Sequence, residues 1–188
     1  MRKFIVQQWV TVDNIAADEN GGLSFVTVSP YARPGDEDLG AAALEFIDTV
    51  DTMILGATTY AMGKDYWPTA HDQGEFGEKL NNLTKFVASS SLKDAPWGKF
   101  PAATVTPDPV ATVRELKAQD GKGIWLWGSL KLMQSMFEAG VVDELHLRVC
   151  PTTRGKGVRM FAERYDMQLV KARSFEHGVV MLHYMMKK

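Results

Sequence analysis

Residues 123–161, GIWLWGSLKLMQSMFEAGVVDELHLRVCPTTRGKGVRMF, restrict the fold more than any other part of the chain. The apolar run 123–127 reads as a buried strand, and Gly128-Ser129 turns it directly into an amphipathic helix over 130–139 that Gly140 stops. A second strand follows over 144–150, then a loop bracketed by Gly155 and Gly157. A strand that passes through Gly-Ser into a helix presents backbone N–H groups with no partner inside that helix. Together with the positive end of the helix dipole, these donors form a seat for a phosphate. The segment therefore points to a nucleotide-type cofactor.

The rest of the chain extends this unit. Residues 4–12 alternate and are rich in Val, Ile and Trp, which predicts a first strand, and 13–22 (DNIAADENGG) form a turn-rich loop. Residues 26–38 contain Pro30, Pro34 and Gly35 and end in Asp36-Glu37-Asp38. Leu39, Ala43, Phe46, Ile47 and Val50 then recur at helical spacing, with Asp38 as N-cap. Short strands are expected over 52–56, 85–89 and 103–105, and a helix starting at 58–62. Asp108-Pro109 opens a further helix that stops near Gly121. Residues 167–175 and 178–185 read as a hairpin around Glu176-His177-Gly178. Alternation of β and α elements closed by a hairpin predicts an α/β fold, a mixed sheet flanked by helices. With no repeat or linker, a single domain over 1–188 is expected.

A chain of 188 residues can bury a core without disulfides or metals. Its net charge is −2 with Lys and Arg scattered, so no electrostatic footprint for nucleic acid or an anionic membrane is present. No apolar run approaches the roughly 20 residues of a membrane span, and the start MRKF enters a strand pattern rather than a signal peptide. A cytoplasmic protein is expected. The single cysteine, Cys150, lies in an apolar strand pattern and reads as structural.

Familiar chemistries are excluded in turn. Gly155-Lys156-Gly157 begins like a dinucleotide fingerprint, but Met160 replaces the third glycine and no helix follows. His71, His146, His177 and His183 show no metal-ligand spacing, so no metal is expected. One cysteine rules out a zinc deaminase, and no Gly-x-Ser-x-Gly elbow supports Ser-His-Asp hydrolysis. Three segments remain, each leaving a predicted strand: residues 56–60 (GATTY), Ser89-Ser90-Ser91 and Gly128-Ser129. Ligands of open α/β sheets gather at such carboxyl ends.

These segments carry a resemblance. Leu55-Gly56-Ala57-Thr58-Thr59-Tyr60 resembles the Leu-Gly-Arg-x-Thr-Tyr of the dihydrofolate reductase-like superfamily, and Tyr66-Trp67-Pro68 its aromatic-Trp-Pro. Trp127-Gly128-Ser129 with Leu132, then Gly140 and Val142-Asp143-Glu144-Leu145, is similar to Gly-Ser-x-x-Leu followed by Gly-Leu-Val-Asp-Glu. Pro151, Gly155, Gly157 and Phe161 follow its Pro-x-x-x-Gly-x-Gly-x-x-x-Phe, and residues 12–16 resemble its first loop. The nearest likeness is to stand-alone relatives of the C-terminal reductase domain of bifunctional riboflavin biosynthesis enzymes.

The resemblance implies a mixed, mostly parallel sheet with helices on both faces, an antiparallel C-terminal strand, and NADPH as hydride donor. By position, Gly128, Ser129, Leu130, Lys131 and Leu132 would hold the pyrophosphate, and Ala57, Thr58 and Thr59 would meet phosphate at the neighbouring helix start. Ser89 and Ser90 would take the adenosine 2′-phosphate, while Ile15 and Ala16 would lie against the nicotinamide. Ala57 stands where the family usually has Arg, which leaves NADH open as donor beside NADPH. Asn14 stands in place of Gly. Folate reductases orient the pterin with a carboxylate at the start of the second helix. Asp38 is the corresponding catalytic candidate, with Asp36, Glu37, Tyr60 and Trp67 as substrate-binding residues and Trp9 as a further stacking surface.

The function expected is an NAD(P)H-dependent reductase of a pterin-, pyrimidine- or related carbonyl-containing compound. Its nearest analogue is 5-amino-6-(5-phosphoribosylamino)uracil reductase. Dihydrofolate reduction and a non-catalytic ligand-binding role on the same fold are the alternatives. A homodimer is expected from the likeness.

Overall fold

The computed structural model describes residues 1–27, 37–161 and 163–187. In chain order, β1 (Phe4–Thr11) and β2 (Ile15–Ala17) precede α1 (Glu37–Ile47), β3 (Val50–Gly56), α2 (Ala57–Gly63) and α3 (Gly74–Asn82). Next come β4 (Thr84–Ala88), β5 (Thr104–Thr106), α4 (Pro109–Ala118), β6 (Gly123–Trp127) and α5 (Leu130–Glu138). The chain finishes with β7 (Glu144–Cys150), β8 (Val158–Arg159), β9 (Met167–Ser174) and β10 (Val180–Met186).

Eight strands form one sheet in the order β5-β4-β3-β6-β1-β7-β10-β9, and β2 and β8 form a small separate pair. The six strands from β5 to β7 run parallel. β10 runs antiparallel to both β7 and β9. The mixed, mostly parallel sheet and the antiparallel C-terminal strand are thus as expected.

Apolar side chains occupy both faces of the central strands, which is why their sequences read as continuous rather than alternating. On one face Ile5, Met53, Leu55 and Trp125 pack with Ala43, Phe46 and Ile47 of α1 and with Phe76 and Leu80 of α3. On the other, Phe4, Val6, Ile54, Ile124 and Leu126 pack with Val113 and Leu116 of α4 and Met133, Met136 and Phe137 of α5. Asp108 caps α4 as predicted, its carboxylate accepting the Ala111 N–H at 2.9 Å. Among the described residues, no helix is long and apolar enough to cross a membrane.

Two boundaries differ from the sequence reading. Helix α1 begins at Glu37, so Asp38 sits within the first turn instead of capping it, and Val50 opens β3 rather than closing the helix. Thr49 ends the helix: its N–H and hydroxyl both bond the Phe46 carbonyl, at 2.9 and 2.6 Å.

The connections position the site. The chain passes from β1 to β3, moves outward to β4 and β5, and returns through α4 to insert β6 between β3 and β1. From β3 it turns into α2 on the α1 face, where Tyr60 joins that core. From neighbouring β6 it turns into α5 on the opposite face. Adjacent parallel strands whose connections leave to opposite faces open a crevice at their carboxyl ends.

Candidate functional site

At this crevice the exits of β3 and β6 are clipped together. Ser129 Oγ accepts the Gly56 N–H at 2.7 Å and donates to Thr59 Oγ1 at 2.8 Å. Gln8 Nε2 on β1 donates to the Gly128 carbonyl at 2.7 Å, tying in a third strand. Gly128 has φ +61°, and a Cβ there would lie 3.2 Å from Thr59, so glycine serves both the turn and the close approach. Ser129 continues the turn in the left-handed region, with φ 61° and ψ 60°.

Because its hydroxyl serves this clip, Ser129 does not cap its own helix. The opening N–H groups of α5 thus receive no side-chain cap from Ser129, beside half-buried Gly128, Ser129 and Leu130. Leu132 is half-buried in the same turn and Lys131 is exposed. Across the crevice, Ala57 and Thr59 are half-buried and Thr58 is exposed at the start of α2. One strand further out, Ser89 follows β4. Its hydroxyl accepts the N–H groups of Ser91 and Leu92 at 3.2 and 3.1 Å, while Ser90 is exposed. Ser89-Ser90, Ala57–Thr59 and Gly128–Leu132 therefore line one row across β4, β3 and β6, with β1 beyond. At about 4.8 Å per strand the row from β4 to β1 spans roughly 14 Å.

The first loop borders this row. Asn14 has φ +64°, the left-handed conformation that Asn tolerates best after Gly, which explains how it stands where a glycine is usual. Asp13 accepts Thr11 Oγ1 at 2.5 Å and the Gly155 N–H at 2.7 Å. Those bonds, the Thr11 hydroxyl foremost, hold its carboxyl below the usual range. Gly157 passes so close to β2 that a Cβ would sit 2.5 Å from the Ala17 carbonyl oxygen and 2.6 Å from Ile15 Cγ2. The glycine-bracketed loop is thus a buttress for β2. Ile15 and Ala16 are 3% and 1% exposed, so in this conformation they offer little side-chain surface to a ring.

The substrate-side candidates separate into two groups. Tyr60 donates its hydroxyl to the Pro96 carbonyl at 2.8 Å and is 3% exposed, and burial raises its pKa. Trp67 is 7% exposed and meets Trp127 edge-on at 5.1 Å. Both belong to the core on the α1 face, so in this conformation they offer little side-chain surface to a substrate. Trp9, half-buried near the carboxyl end of β1, is the better surface. It packs with Leu39 and Ala42 of α1 and with Phe175 and Val179 of the terminal hairpin. Asp38 is half-buried in the same region and accepts the Glu176 N–H at 3.3 Å. Glu37 is exposed, and Asp36 lies outside the described residues.

Sequence reading missed Arg148. It is 1% exposed on β7, with its guanidinium 5.0 Å from the Trp9 ring centroid. Parallel register places Trp9 directly beside Arg148, a pairing visible only once β1 and β7 are known to be neighbours. Cys150, one turn of the pleat further on, is buried, and burial pushes its thiol up to about 11.

Comparison with known proteins gives the family and the fold. The family model described as the RibD C-terminal domain matches residues 2–181. The chain belongs to the RibD C-terminal domain family. Another relative of this RibD-type chain, the uncharacterized protein YyaP of Bacillus subtilis (strain 168), is 26% identical over 189 residues, 97% of this chain and 94% of its own. In fold the chain is similar to a Shewanella sp. PV-4 protein provisionally assigned to riboflavin biosynthesis, with TM-score 0.76, 20% identity and 99% of each chain covered. It is also similar to the dihydrofolate reductase of Enterococcus faecalis complexed with NADP(H) and RAB-propyl, with TM-score 0.61 and 14% identity over 99% of this chain and 97% of that one. The fold is dihydrofolate reductase-like.

One cluster of this RibD-type chain lies elsewhere. His146 on β7 and His183 on β10 are directly paired across the strands, and Glu144 precedes His146 on the same face. Glu144 Oε2 lies 3.3 Å from His146 Nε2 and 3.0 Å from His183 Nε2, and Lys3 pairs with Oε1. The bond to His146 contributes most to holding the Glu144 carboxyl down at about 2, and burial lowers the pKa of His183. The four histidines show no linear ligand spacing; antiparallel pairing supplies the proximity instead.

Proposed function

We propose that this chain is an NAD(P)H-dependent reductase of a flat, carbonyl-containing heterocycle of the pyrimidine or pterin class. When bound, the reduced nicotinamide supplies the hydride. The observation that carries the reading is the crevice at the ends of β3 and β6, where the clipped Ser129 leaves the start of α5 uncapped and open. Those donors fit a pyrophosphate, because the dipole and the N–H groups favour the same negative charge.

The chain's own groups would divide the work along the row. Gly128–Leu132 would hold the pyrophosphate, Thr58 and Thr59 would add hydroxyls from the opposite wall, and Ser89-Ser90 would face the adenosine end. The first loop at Ile15-Ala16, held in place by Asp13 and Gly157, would close over the nicotinamide end and exclude water. Trp9 would stack on the heterocycle and Asp38 would accept its ring N–H groups, orienting the carbon that receives hydride. Membership in the RibD family favours the ribosylamino-pyrimidine over dihydrofolate as substrate.

The test follows loss of reduced-nicotinamide absorbance with 5-amino-6-(5-phosphoribosylamino)uracil and, separately, with dihydrofolate. Turnover of the pyrimidine is expected. Turnover of dihydrofolate alone overturns the substrate assignment, and failure of both NADPH and NADH to bind in calorimetric titration overturns the reductase reading.

A further inference from the structure

The histidine–glutamate cluster sits at the opposite end of the sheet from the crevice. A cleft of about 470 Å³ opens there, at the amino ends of the parallel strands, lined among others by Arg2, Phe46, Gly121, Lys171 and Met181. Glu144, His146 and His183 share its wall. We infer that Glu144, His146 and His183 form a binding site for one late first-row divalent cation of the Zn²⁺ type, with a coordination position open to this cleft.

The geometry comes from the sheet. Residues two apart on β7 share a face, which sets Glu144 beside His146, and the antiparallel register sets His183 opposite His146. The rings lie 4.2 Å apart between centroids, and one ligand atom from each of the three residues lies within 4.8 Å of the others. For ligands roughly 2.0–2.1 Å from a tetrahedral zinc, neighbouring donor atoms are about 3.3 Å apart. The two distances from Glu144 Oε2 to the histidine Nε2 atoms, 3.0 and 3.3 Å, already match such an edge. Two imidazoles and one carboxylate are the donor set of open zinc sites, whereas hard cations such as Mg²⁺ and Ca²⁺ require oxygen ligands.

Surrounding groups fit second-sphere roles. Lys3 holds the other oxygen of Glu144, leaving Oε2 turned toward the two imidazoles. Phe46 of α1 meets His146 edge-on at 5.4 Å. Gln7 on β1 is adjacent to His146 in register, and its buried Nε2 has no hydrogen-bond partner among the described residues. Lys171 on β9 is adjacent to His183. With Lys3 and Lys171 nearby the field is not one that collects cations by charge alone. Binding therefore depends on imidazole donors, and the open position suits an anionic or neutral small ligand.

The experiment uses tag-free, chelator-treated full-length protein titrated calorimetrically with Zn²⁺, and with Co²⁺ to read ligand geometry from its visible spectrum. Mg²⁺ serves as the hard-cation control. One Zn²⁺ per chain is expected, with a tetrahedral Co²⁺ spectrum and no response to Mg²⁺. His183→Ala, whose site lies at the sheet surface, should weaken Zn²⁺ at least roughly 100-fold. Glu144→Gln should do the same while keeping the side chain's size, and circular dichroism confirms that each variant is folded. Absence of Zn²⁺ binding, or binding that both folded variants retain (adventitious sites only, the Met1 amine included), overturns the inference.

Discussion

Ser129 offers the sharpest perturbation of the proposed cofactor crevice, through the pair Ser129→Asp and Ser129→Asn. Both variants remove the hydroxyl that accepts the Gly56 N–H at 2.7 Å and donates to Thr59 at 2.8 Å. At about 1 kcal/mol per lost hydrogen bond, each should lose roughly 1–2 kcal/mol of stability. Backbone strain does not separate them, because Asn and Asp both tolerate the φ of 61° found there. Charge alone does. A carboxylate about 4 Å from a phosphate costs roughly 1 kcal/mol at the dielectric of water and about 4 kcal/mol at an effective value near 20. The NADPH dissociation constant of the Asp variant should therefore exceed that of the Asn variant by about fivefold to a thousandfold. The assay is paired calorimetric titration at matched ionic strength, after urea denaturation has shown both variants folded. Equal affinity of the two variants would mean that no anion rests on the start of α5.

Three further outcomes are expected. Lys85 is 3% exposed, and its Nζ donates to the carbonyls of Asn81 and Leu83 at 2.6 and 2.8 Å, while burial lowers its pKa from 10.5 to about 8. The unfolded chain thus binds more protons between those values, and stability should rise with pH across that window by up to about 3 kcal/mol. Denaturation of wild type and Lys85→Met from pH 7 to 10.5 checks this, since the variant should lack that rise. Gly157→Ala places a methyl 2.5 Å from the Ala17 carbonyl oxygen at φ +136° and should cost about 2–4 kcal/mol, read as a lower urea midpoint. Cys150, held as a neutral thiol by burial, should react with a thiol reagent in folded protein far more slowly than in urea; equal rates would contradict its burial.

Much of the fold was legible because its strands are bounded by strong local signals. The limits of β6 and β7 follow from apolar runs closed by Gly128 and by Pro151, and α4 from Asp108-Pro109. The short pair β2–β8 carries too few residues for any period to register. Helix α3 went unread because Gly74 and Gly77 interrupt its pattern. At the site, the strand exits were identifiable, but the hydroxyl bridge from Ser129 to Gly56 and Thr59 was not, because it joins elements far apart in the chain. Burial is not legible from a motif: Tyr60 and Trp67 lie in resemblance-bearing segments yet join the core, while Trp9 and Arg148 meet only through parallel register. The convergence of His146 and His183 is likewise a property of pairing, invisible to linear spacing.

The proposal that the crevice holds a dinucleotide is tested most directly by titrating ¹⁵N-labelled protein with NADPH and mapping the amide shifts. The expected result is saturable binding of one NADPH per chain, with the largest shifts at Gly128–Leu132 and Ala57–Thr59 and smaller ones at Ser89-Ser90. Absence of binding, or saturable binding that leaves Gly128–Leu132 unmoved, would contradict it.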